Sequence, residues 1–375
     1  MARIFVEEGR RRFNNTGYGA LSRSIILALH RHSEHEVFVG NEQEPYKEGI
    51  PHVEELAALR PYGDLGLGKM DAILRVGAPK YYIEDRRPSL HYTQNALGDL
   101  PEDWVRNLAP RDTLIVPGEF DREVFARHHD HVEVCPQHVD TEFFKPMPKY
   151  RGEGPDAPSF LFVGSYSYRK GVDLILDAFR RAFDDGTPAH LHMHCFSGLK
   201  KATVTHLLDH ARALHPNSGL SFFSGTASLP WMRRFLNRYD AVVSLSRGEG
   251  WCMPLWEGLL CGLPVIAPDS TAMGEYLPQP GVRRVSVSTR SVGDLDEDFA
   301  MGMAHRYGSN DNTFPEPDLH DAAAAFRDVR DNLEHYKKQA GKGREIVRRE
   351  FSLERMGTTL DGIIDRTLAR LDATG

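Results

Sequence analysis

The stretch from Asp240 to Asp269 constrains the fold of this chain more than any other. It opens with apolar, β-branched residues over 241–245, which predict a buried parallel strand, and it closes with a second apolar run over 263–267, which predicts the next strand. Between them lie a polar, glycine-containing loop and a short segment with an apolar face. Pro254 suits the first turn of a helix, because a missing N–H costs nothing there, and Gly262 suits the C-terminal cap. The stretch therefore predicts a strand–loop–helix–strand unit of an α/β fold.

A helix N-terminus at the carboxyl end of a parallel sheet favours an anion, phosphate above all, because free N–H groups point out of it. We expect such groups near Met253, Pro254 and Leu255. Glu249 lies in the loop and Glu257 on the first turn of the predicted helix, so both could reach one ligand over the helix end. Carboxylates do not help to bind phosphate, so these two are predicted to contact hydroxyl groups. A nucleotide-sugar, with a central diphosphate and hydroxylated rings at both ends, fits; the alternative is two glutamates that only favour the helix dipole.

The letters E-G-W-C-M-P-L-W-E-G-L-L-C-G-L-P-V-I-A resemble the E-x7-E signature of retaining glycosyltransferases with the GT-B fold, family 4 in particular. In that family the signature commonly runs E-G-F-G-L-P-x-x-E-A-M-A-C-G-x-P-V-I-A. The resemblance implies an α/β chain of two Rossmann-like domains facing across a cleft, with a C-terminal helix that crosses back onto the N-terminal domain. It also implies that Glu249 holds hydroxyls of a donor sugar and that Glu257 holds the ribose.

A second group of matching letters opens the second predicted domain. Residues 159–164 predict a strand that ends in a turn at Gly164, and Arg169-Lys170-Gly171 leads into an amphipathic helix. Two adjacent cations at a helix entrance oppose the macrodipole, so they are predicted to hold an anion. The run resembles the family's G-R-x-x-x-x-K-G-x-x-x-x-x-x-A-F. That resemblance implies that Gly164 lies at the donor and that Arg169 and Lys170 neutralise its diphosphate; the alternative is a surface charge pair.

The first predicted domain carries weaker signals. After a first strand over 3–6, Gly17 and Gly19 would let a backbone approach a phosphate, in a turn that resembles the family's G-x-G-R-Y; the alternative is a plain βα turn. His91 lies near the carboxyl end of a predicted strand, where the family often has a histidine close to the reacting sugar carbon. The alternative is a histidine packed within the sheet. Arg10-Arg11-Arg12 predicts either a solvated loop or a contact for a charged acceptor.

The segment from Lys145 to Pro158, rich in Pro, Gly and charges, predicts the domain boundary. It gives an N-terminal domain of residues 1–147 on the acceptor side, completed by 353–375. The C-terminal domain, on the donor side, covers 148–352.

Composition limits the remaining classes of function. The 375 residues suffice for two domains, and no apolar run approaches the roughly 18 residues of a membrane span. A net charge of −7 argues against a general nucleic-acid binder. The four cysteines have no framework spacing, which predicts reduced thiols and a cytoplasmic protein, with peripheral membrane association left open.

Two patterns with metal-binding letters are discounted. His190, His192 and His194 share one face of a predicted strand, but no acidic or cysteine partner lies at a suitable offset. Asp294-Leu295-Asp296 has the letters of a D-x-D motif, but it follows no buried strand and continues into an acidic surface run. We therefore expect neither a metal nor a cofactor.

The sequence thus predicts a retaining hexosyltransferase that moves a hexose from a nucleoside diphosphate sugar to an acceptor hydroxyl. The acceptor stays open among carbohydrate, lipid, protein, small metabolite and modified nucleobase. Two other hypotheses remain. One is a nucleotide-sugar epimerase of the same architecture, which would release a product that still bears its nucleotide. The other is a non-catalytic binding module. The E-x7-E context favours transfer, and the presence of both cations and both glutamates counts against a module without turnover.

Overall fold

In a computed structural model, the chain divides into two units, which are described separately. The first comprises Met1–Asp140 and Glu350–Gly375, and the second comprises the described residues between 141 and 349. The run Arg10-Arg11-Arg12 and residues 295–296 of the D-x-D letters lie outside the described residues. The structure describes residues 1–9, 13–14, 16–40, 49–61, 63, 65–79, 87–150, 156–195, 201–278, 280–294 and 313–373.

The first unit is built on a six-stranded sheet. Its strands are β1 Arg3–Glu7, β2 Glu36–Val39, β3 Ala72–Val76, β4 Ser89–Tyr92, β5 Thr113–Val116 and β6 Val132–Val134. Its helices are α1 Gly17–His32, α2 Val53–Ala58, α3 Glu102–Arg106, α4 Glu119–Phe125 and, last along the chain, α12 Leu353–Asp372. The strand order is β2-β1-β3-β4-β5-β6, with every neighbouring pair parallel. All residues of β3, β4 and β5 are buried, as expected of parallel strands covered on both faces.

Helix α12 is part of this first unit. It packs along α1, and the Ser33 hydroxyl, just after α1, donates a hydrogen bond to Asp361. On the other side, the hydroxyls of Thr367 and Thr113 lie 2.9 Å apart, which joins α12 to the start of β5. The return of the C-terminal helix to the N-terminal unit, which the family resemblance implies, is therefore present.

The second unit contains another parallel six-stranded sheet. Its strands are β7 Ser159–Gly164, β8 Ala189–Cys195, β9 Ser218–Ser224, β10 Ala241–Val243, β11 Val265–Pro268 and β12 Val282–Val285, and a hairpin adds β13 Val287–Ser291 and β14 Thr313–Pro317. The helices are α5 Val172–Ala182, α6 Lys201–Arg212, α7 Leu229–Leu236, α8 Met253–Leu260, α9 Thr271–Tyr276, α10 Leu319–Asp331 and α11 Leu333–Glu350. The sheet order is β12-β11-β10-β7-β8-β9.

The core of the second unit fixes the helix that follows the predicted cation pair. The ring of Phe160 on β7 packs against Phe179 of α5 and Phe326 of α10, with centroids 6.3 and 4.9 Å apart. Phe179 and Phe326 also contact each other at 5.6 Å. All three side chains are buried, so α5 and α10 are packed firmly onto one face of the sheet.

The strand order determines where loops meet. In the second unit the chain runs from β7 outward to β9, then crosses to β10 on the other side of β7, so β7 and β10 form the topological switch point. Loops that leave the carboxyl ends of two such neighbouring parallel strands lie side by side, and ligands of open α/β sheets bind there. The predicted strand–loop–helix–strand unit is confirmed as β10, α8 and β11. Among the helices that the structure describes, none has both the length and the apolar character to cross a bilayer.

Candidate functional site

The carboxylate of Glu249, in the loop after β10, contacts two cations from the loop after β7. Lys170 Nζ donates a hydrogen bond to Glu249 Oε1 at 2.5 Å, and Arg169 Nη1 lies 3.4 Å from Glu249 Oε2. Arg169 Nη1 also donates to the carbonyl of Gly248 at 2.5 Å. The side chains of Glu249, Arg169 and Lys170 are 8%, 16% and 18% exposed. Three of the predicted site residues therefore form one cluster, although 79 positions separate Lys170 from Glu249.

The electrostatics of this cluster favour an anion. Burial would raise the pKa of Glu249, but the charges of Lys170 and Arg169 and the hydrogen bond from Lys170 outweigh it and lower the pKa to about 2. Glu249 is thus ionised at neutral pH. Within this group of three described side chains, one carboxylate faces two cations, in a place where solvent screens charges less than at the surface.

Gly171 allows the two loops to approach each other this closely. Residues Tyr168–Lys170 form a single 3-10 turn, which ends at Gly171 in the left-handed region with φ of 64°. A Cβ on Gly171 would lie 1.9 Å from the carbonyl oxygen of Leu245, a backbone atom that cannot move aside cheaply. The loops are joined by backbone as well, because Arg247 N donates to Arg169 O at 2.7 Å. Lys170 is therefore presented to Glu249 by backbone geometry that only glycine accommodates.

Helix α8 begins at Met253 with Pro254 in its first turn, as predicted. The residue before it, Cys252, has φ of 64°, and its side chain makes no capping hydrogen bond. A non-glycine residue in the left-handed region costs about 1–2 kcal/mol, and the family signature has glycine at this position. The backbone N–H of Leu255 donates to Cys252 O at 3.1 Å. The Leu255 N–H is thus engaged within this turn and Pro254 has no N–H, so among the three residues predicted to lie near free N–H groups the expected anion contact rests on Met253.

Glu257, which the sequence placed on the first turn of the helix, is the fifth residue of α8 and lies where the first turn passes into the second, because the helix starts at Met253, directly after the left-handed Cys252. Its side chain is largely buried. Two neighbouring tryptophans hold this part of the helix against the loop. The rings of Trp251 and Trp256 stack with centroids 4.8 Å apart, and Trp256 Nε1 donates to Trp251 O at 3.0 Å.

Gly164 and the first-unit glycines lie at strand and helix ends. Gly164 is the last residue of β7 and leads directly into the loop of Arg169 and Lys170. Gly17 and Gly19 open α1, and Gly19 N donates to the side chain of its cap, Thr16, at 3.1 Å. A Cβ on Gly17 would have no neighbour within 4 Å, so the space beside it is open. A contact between these glycines and a diphosphate remains a prediction.

His91 has no exposed surface. It lies in β4, and its Nε2 is 2.8 Å from Asp112 Oδ2. Burial lowers the pKa of His91, while the hydrogen bond and charge of Asp112 oppose that effect. This is the geometry of a histidine packed within the sheet, the alternative interpretation of the sequence, so we assign no substrate contact to His91 below.

Sequence reasoning missed Arg247, which lies two residues before Glu249. Its side chain is 1% exposed and forms ion pairs with Asp173 and Glu316.

The sequence departs from the family pattern just before Arg169. The family pattern places arginine directly after the glycine, where this chain has Ser165. Arg169 therefore matches no arginine of that pattern, and its assignment rests on its contacts with Glu249 and Gly248.

The three alternating histidines of β8 share one face, as predicted. His190 Nε2 and His192 Nδ1 both reach the Ser221 hydroxyl, at 2.8 and 2.6 Å. Burial lowers the pKa of His192 to about 3 and that of His194 to about 4, so both are neutral at pH 7. Within the described part of the chain, no three or more His, Cys, Asp and Glu side chains are grouped to hold a metal ion.

Comparisons of the sequence point to one family. The family model described as Glycosyl transferases group 1 matches residues 157–304, which lie within the second unit. An uncharacterized glycosyltransferase of Methanocaldococcus jannaschii is 28% identical over 143 residues, which are 36% of this chain and 36% of that protein. The match therefore spans little more than a third of that relative's length.

Comparisons of the structure cover nearly the whole chain. Sucrose-phosphate synthase of Thermosynechococcus elongatus superimposes with a TM-score of 0.68 at 14% identity, over 99% of this chain and 100% of that one. HepE of Anabaena, in complex with UDP-glucose, gives a TM-score of 0.64 at 14% identity, over 97% of this chain and 99% of that one. At such identities the likeness shows the fold. Residues 157–304 thus match the model of the glycosyl transferases group 1, and the chain has the GT-B fold, as the sequence resemblance predicted.

Proposed function

We propose that the protein is a glycosyltransferase that moves a hexose from a nucleoside diphosphate sugar to an acceptor hydroxyl, with retention of anomeric configuration. The observation that carries the proposal is the cluster of Arg169, Lys170 and Glu249 at the carboxyl ends of β7 and β10. The family match of the second unit supports glycosyl transfer. HepE, a protein of the same fold, was crystallised with UDP-glucose, which supports a nucleotide-sugar donor.

In the proposed reaction the enzyme acts mainly through charge. Negative charge gathers on the diphosphate as its bond to the sugar breaks, and Arg169, Lys170 and the N-terminus of α8 stabilise that charge. Arg169 offers a planar fork of donors and Lys170 a compact point charge. Because these groups supply the positive charge, we propose that transfer requires no metal ion.

The two glutamates recognise the rest of the donor. Glu249 accepts hydrogen bonds from sugar hydroxyls once the diphosphate has taken its place on Lys170, and Glu257 accepts from the ribose. We assign no nucleophile. The acceptor, which the first unit would select, remains open among the classes named above, and the cytoplasmic location remains a prediction from the cysteine usage.

Nucleotide release from a panel of UDP-, GDP- and ADP-sugars, without added metal, tests the proposal. We expect the wild type to release nucleotide from one donor, and Glu249→Ala and Lys170→Ala to lose that activity while keeping a native circular-dichroism spectrum. Glu334→Ala serves as the control, since Glu334 is 90% exposed on α11. Near-wild-type turnover in either site variant would overturn the site assignment. Formation of an epimer without free nucleotide, or binding of every donor without turnover when acceptors of each class are supplied, would replace the transferase by an epimerase or a binding module.

A further inference from the structure

Arg247 is held by two carboxylates from different parts of the second unit. Its Nη1 and Nη2 donate to the two oxygens of Asp173 at 2.8 and 2.7 Å. Its Nε and Nη2 donate to the two oxygens of Glu316, the latter at 2.9 Å. Asp173 is in the first turn of α5, and Glu316 is on β14. The guanidinium thus forms two bidentate pairs. Burial lowers its pKa, but the hydrogen bonds that it donates to the two carboxylates outweigh this and raise the pKa.

The same side chain contacts the loop that carries the two cations. The Arg247 guanidinium carbon lies 3.6 Å from the centroid of the Tyr168 ring, and Nη1 donates to the carbonyl of Tyr168 at 2.6 Å. The Arg247 backbone N–H donates to Arg169 O at 2.7 Å. Tyr168 and Arg169 directly precede Lys170, and Arg247 precedes Glu249 by two residues. Arg247 therefore joins the loop of the cations to the loop of the carboxylate that they face.

The charge of Arg247 is not available to a ligand. Two carboxylates surround one guanidinium that is 1% exposed, so its positive charge is fully compensated within the protein. An anion at the cluster is therefore attracted by Arg169 and Lys170 and not by Arg247. What Arg247 contributes is geometry, because its contacts define where Tyr168 and the backbone of Arg169 lie.

We propose that Arg247, held by its ion pairs with Asp173 and Glu316, is a positioning residue. It keeps the loop of Arg169 and Lys170 where these two cations can bind a diphosphate. The inference rests on the proposed function for the identity of the ligand. Its central claim, that Arg247 acts on anion binding through the cation loop, is tested with inorganic pyrophosphate and needs no turnover.

A double-mutant cycle separates this role from a general structural one. We expect Arg247→Met to weaken pyrophosphate binding by about tenfold in the wild-type chain, as measured by calorimetry, and by a smaller factor, about threefold, in a Lys170→Ala background, because one of the two cations that it positions is then missing. Arg212→Met is the control in both backgrounds, since Arg212 is 73% exposed and pairs only with its helix neighbour Asp209 among the described ion pairs.

Two milder variants keep the test decisive if Arg247→Met fails to fold. Arg247→Lys keeps the charge but cannot form two bidentate pairs, and Glu316→Gln removes one of the two ion pairs. Both should weaken pyrophosphate binding in the wild-type chain and should have a smaller effect without Lys170. An equal loss in both backgrounds, or wild-type affinity in all three variants, would overturn the inference. Normal pyrophosphate binding that responds to Arg247 in a protein that transfers no sugar would instead overturn the proposed function alone.

Discussion

Replacing Glu249 by glutamine should strengthen the binding of pyrophosphate. In the ligand-free protein Glu249 pairs with Lys170 and Arg169, the two cations that are proposed to hold the diphosphate. A diphosphate must therefore displace a carboxylate that already occupies the site. Glutamine has the same shape as glutamate but no charge, so it competes much less for the cations.

The size of the effect follows from the pKa of Glu249. A fall in the pKa of Glu249 from its ordinary value of 4.5 to about 2 corresponds to about 3 kcal/mol in favour of the ionised form, at about 1.36 kcal/mol per pKa unit. Burial acts in the opposite direction, so the attraction from the cations exceeds this net value. If half of this net free energy becomes available to an incoming anion once the carboxylate charge is removed, Glu249→Gln should bind pyrophosphate about tenfold more tightly than the wild type.

The same pairing gives stability a defined pH dependence. Because the pKa of Glu249 is lowered on folding, its contribution is fully present above pH 4.5 and is lost as the pH falls toward 2. In that window the unfolded chain binds the extra proton, so wild-type stability should decrease with falling pH, with a limiting slope of about 1.4 kcal/mol per pH unit from this group. Urea midpoints of Glu249→Gln should depend less on pH between 5 and 3.

Isothermal titration with pyrophosphate at low and high salt is the assay. Glu334→Gln, which removes one exposed negative charge far along the chain on α11, controls for the change in net charge. We expect tighter binding only in Glu249→Gln, together with the loss of sugar transfer, since the hydroxyl acceptor is weakened. Equal or weaker pyrophosphate binding by Glu249→Gln would show that Glu249 does not compete with the anion, and the reasoning would fail.

Two further pairs of variants test the geometry. Gly171→Ala should destabilise the protein by about 3 kcal/mol or more, because its Cβ would overlap the Leu245 carbonyl. Its control is Gly341→Ala on α11, where a Cβ meets nothing within 4 Å, and this variant should be more stable by up to about 1 kcal/mol. Urea unfolding measures both changes, and equal effects would contradict the assigned loop geometry. The pKa of His192 is lowered to about 3, so stability is intact above pH 6.5 and falls below it as the unfolded chain takes up the proton. At pH 5 this proton uptake costs the wild type about 2 kcal/mol of unfolding free energy, which His192→Gln should regain and the exposed control His320→Gln should not. Identical dependence of the unfolding free energy on pH in the two variants would refute the burial argument.

The parts of the fold that could be predicted are those with local signals. Strand β10, helix α8 and strand β11 follow from an apolar β-branched run, a proline at a helix start and a glycine at its end. Gly262, with φ of 81°, lies just past α8 as predicted. These features depend on residues a few positions apart, so the sequence contains them directly.

The rest depends on contacts that no local pattern encodes. The start of α8, and hence the turn on which Glu257 lies, is set by the left-handed backbone of Cys252, a residue type that ordinarily avoids it. Whether His91 faces a ligand or the core could not be decided, because both faces of a buried parallel strand are apolar in pattern. Arg247 meets partners 74 and 69 positions away, which its neighbours in sequence do not indicate.

The switch point between β7 and β10 also has a consequence for how the site comes into existence. Lys170 and Glu249 are 79 positions apart, and closing a loop of that length costs about 4 kcal/mol of chain entropy before any contact compensates for it. Both cations and the whole of β8 and β9 are synthesised before the carboxylate is made. A nascent chain that has reached β9 therefore has both cations but neither Glu249 nor helix α8. During refolding, the recovery of pyrophosphate binding should lag behind helical circular dichroism, so it reports the moment at which β10 joins the sheet.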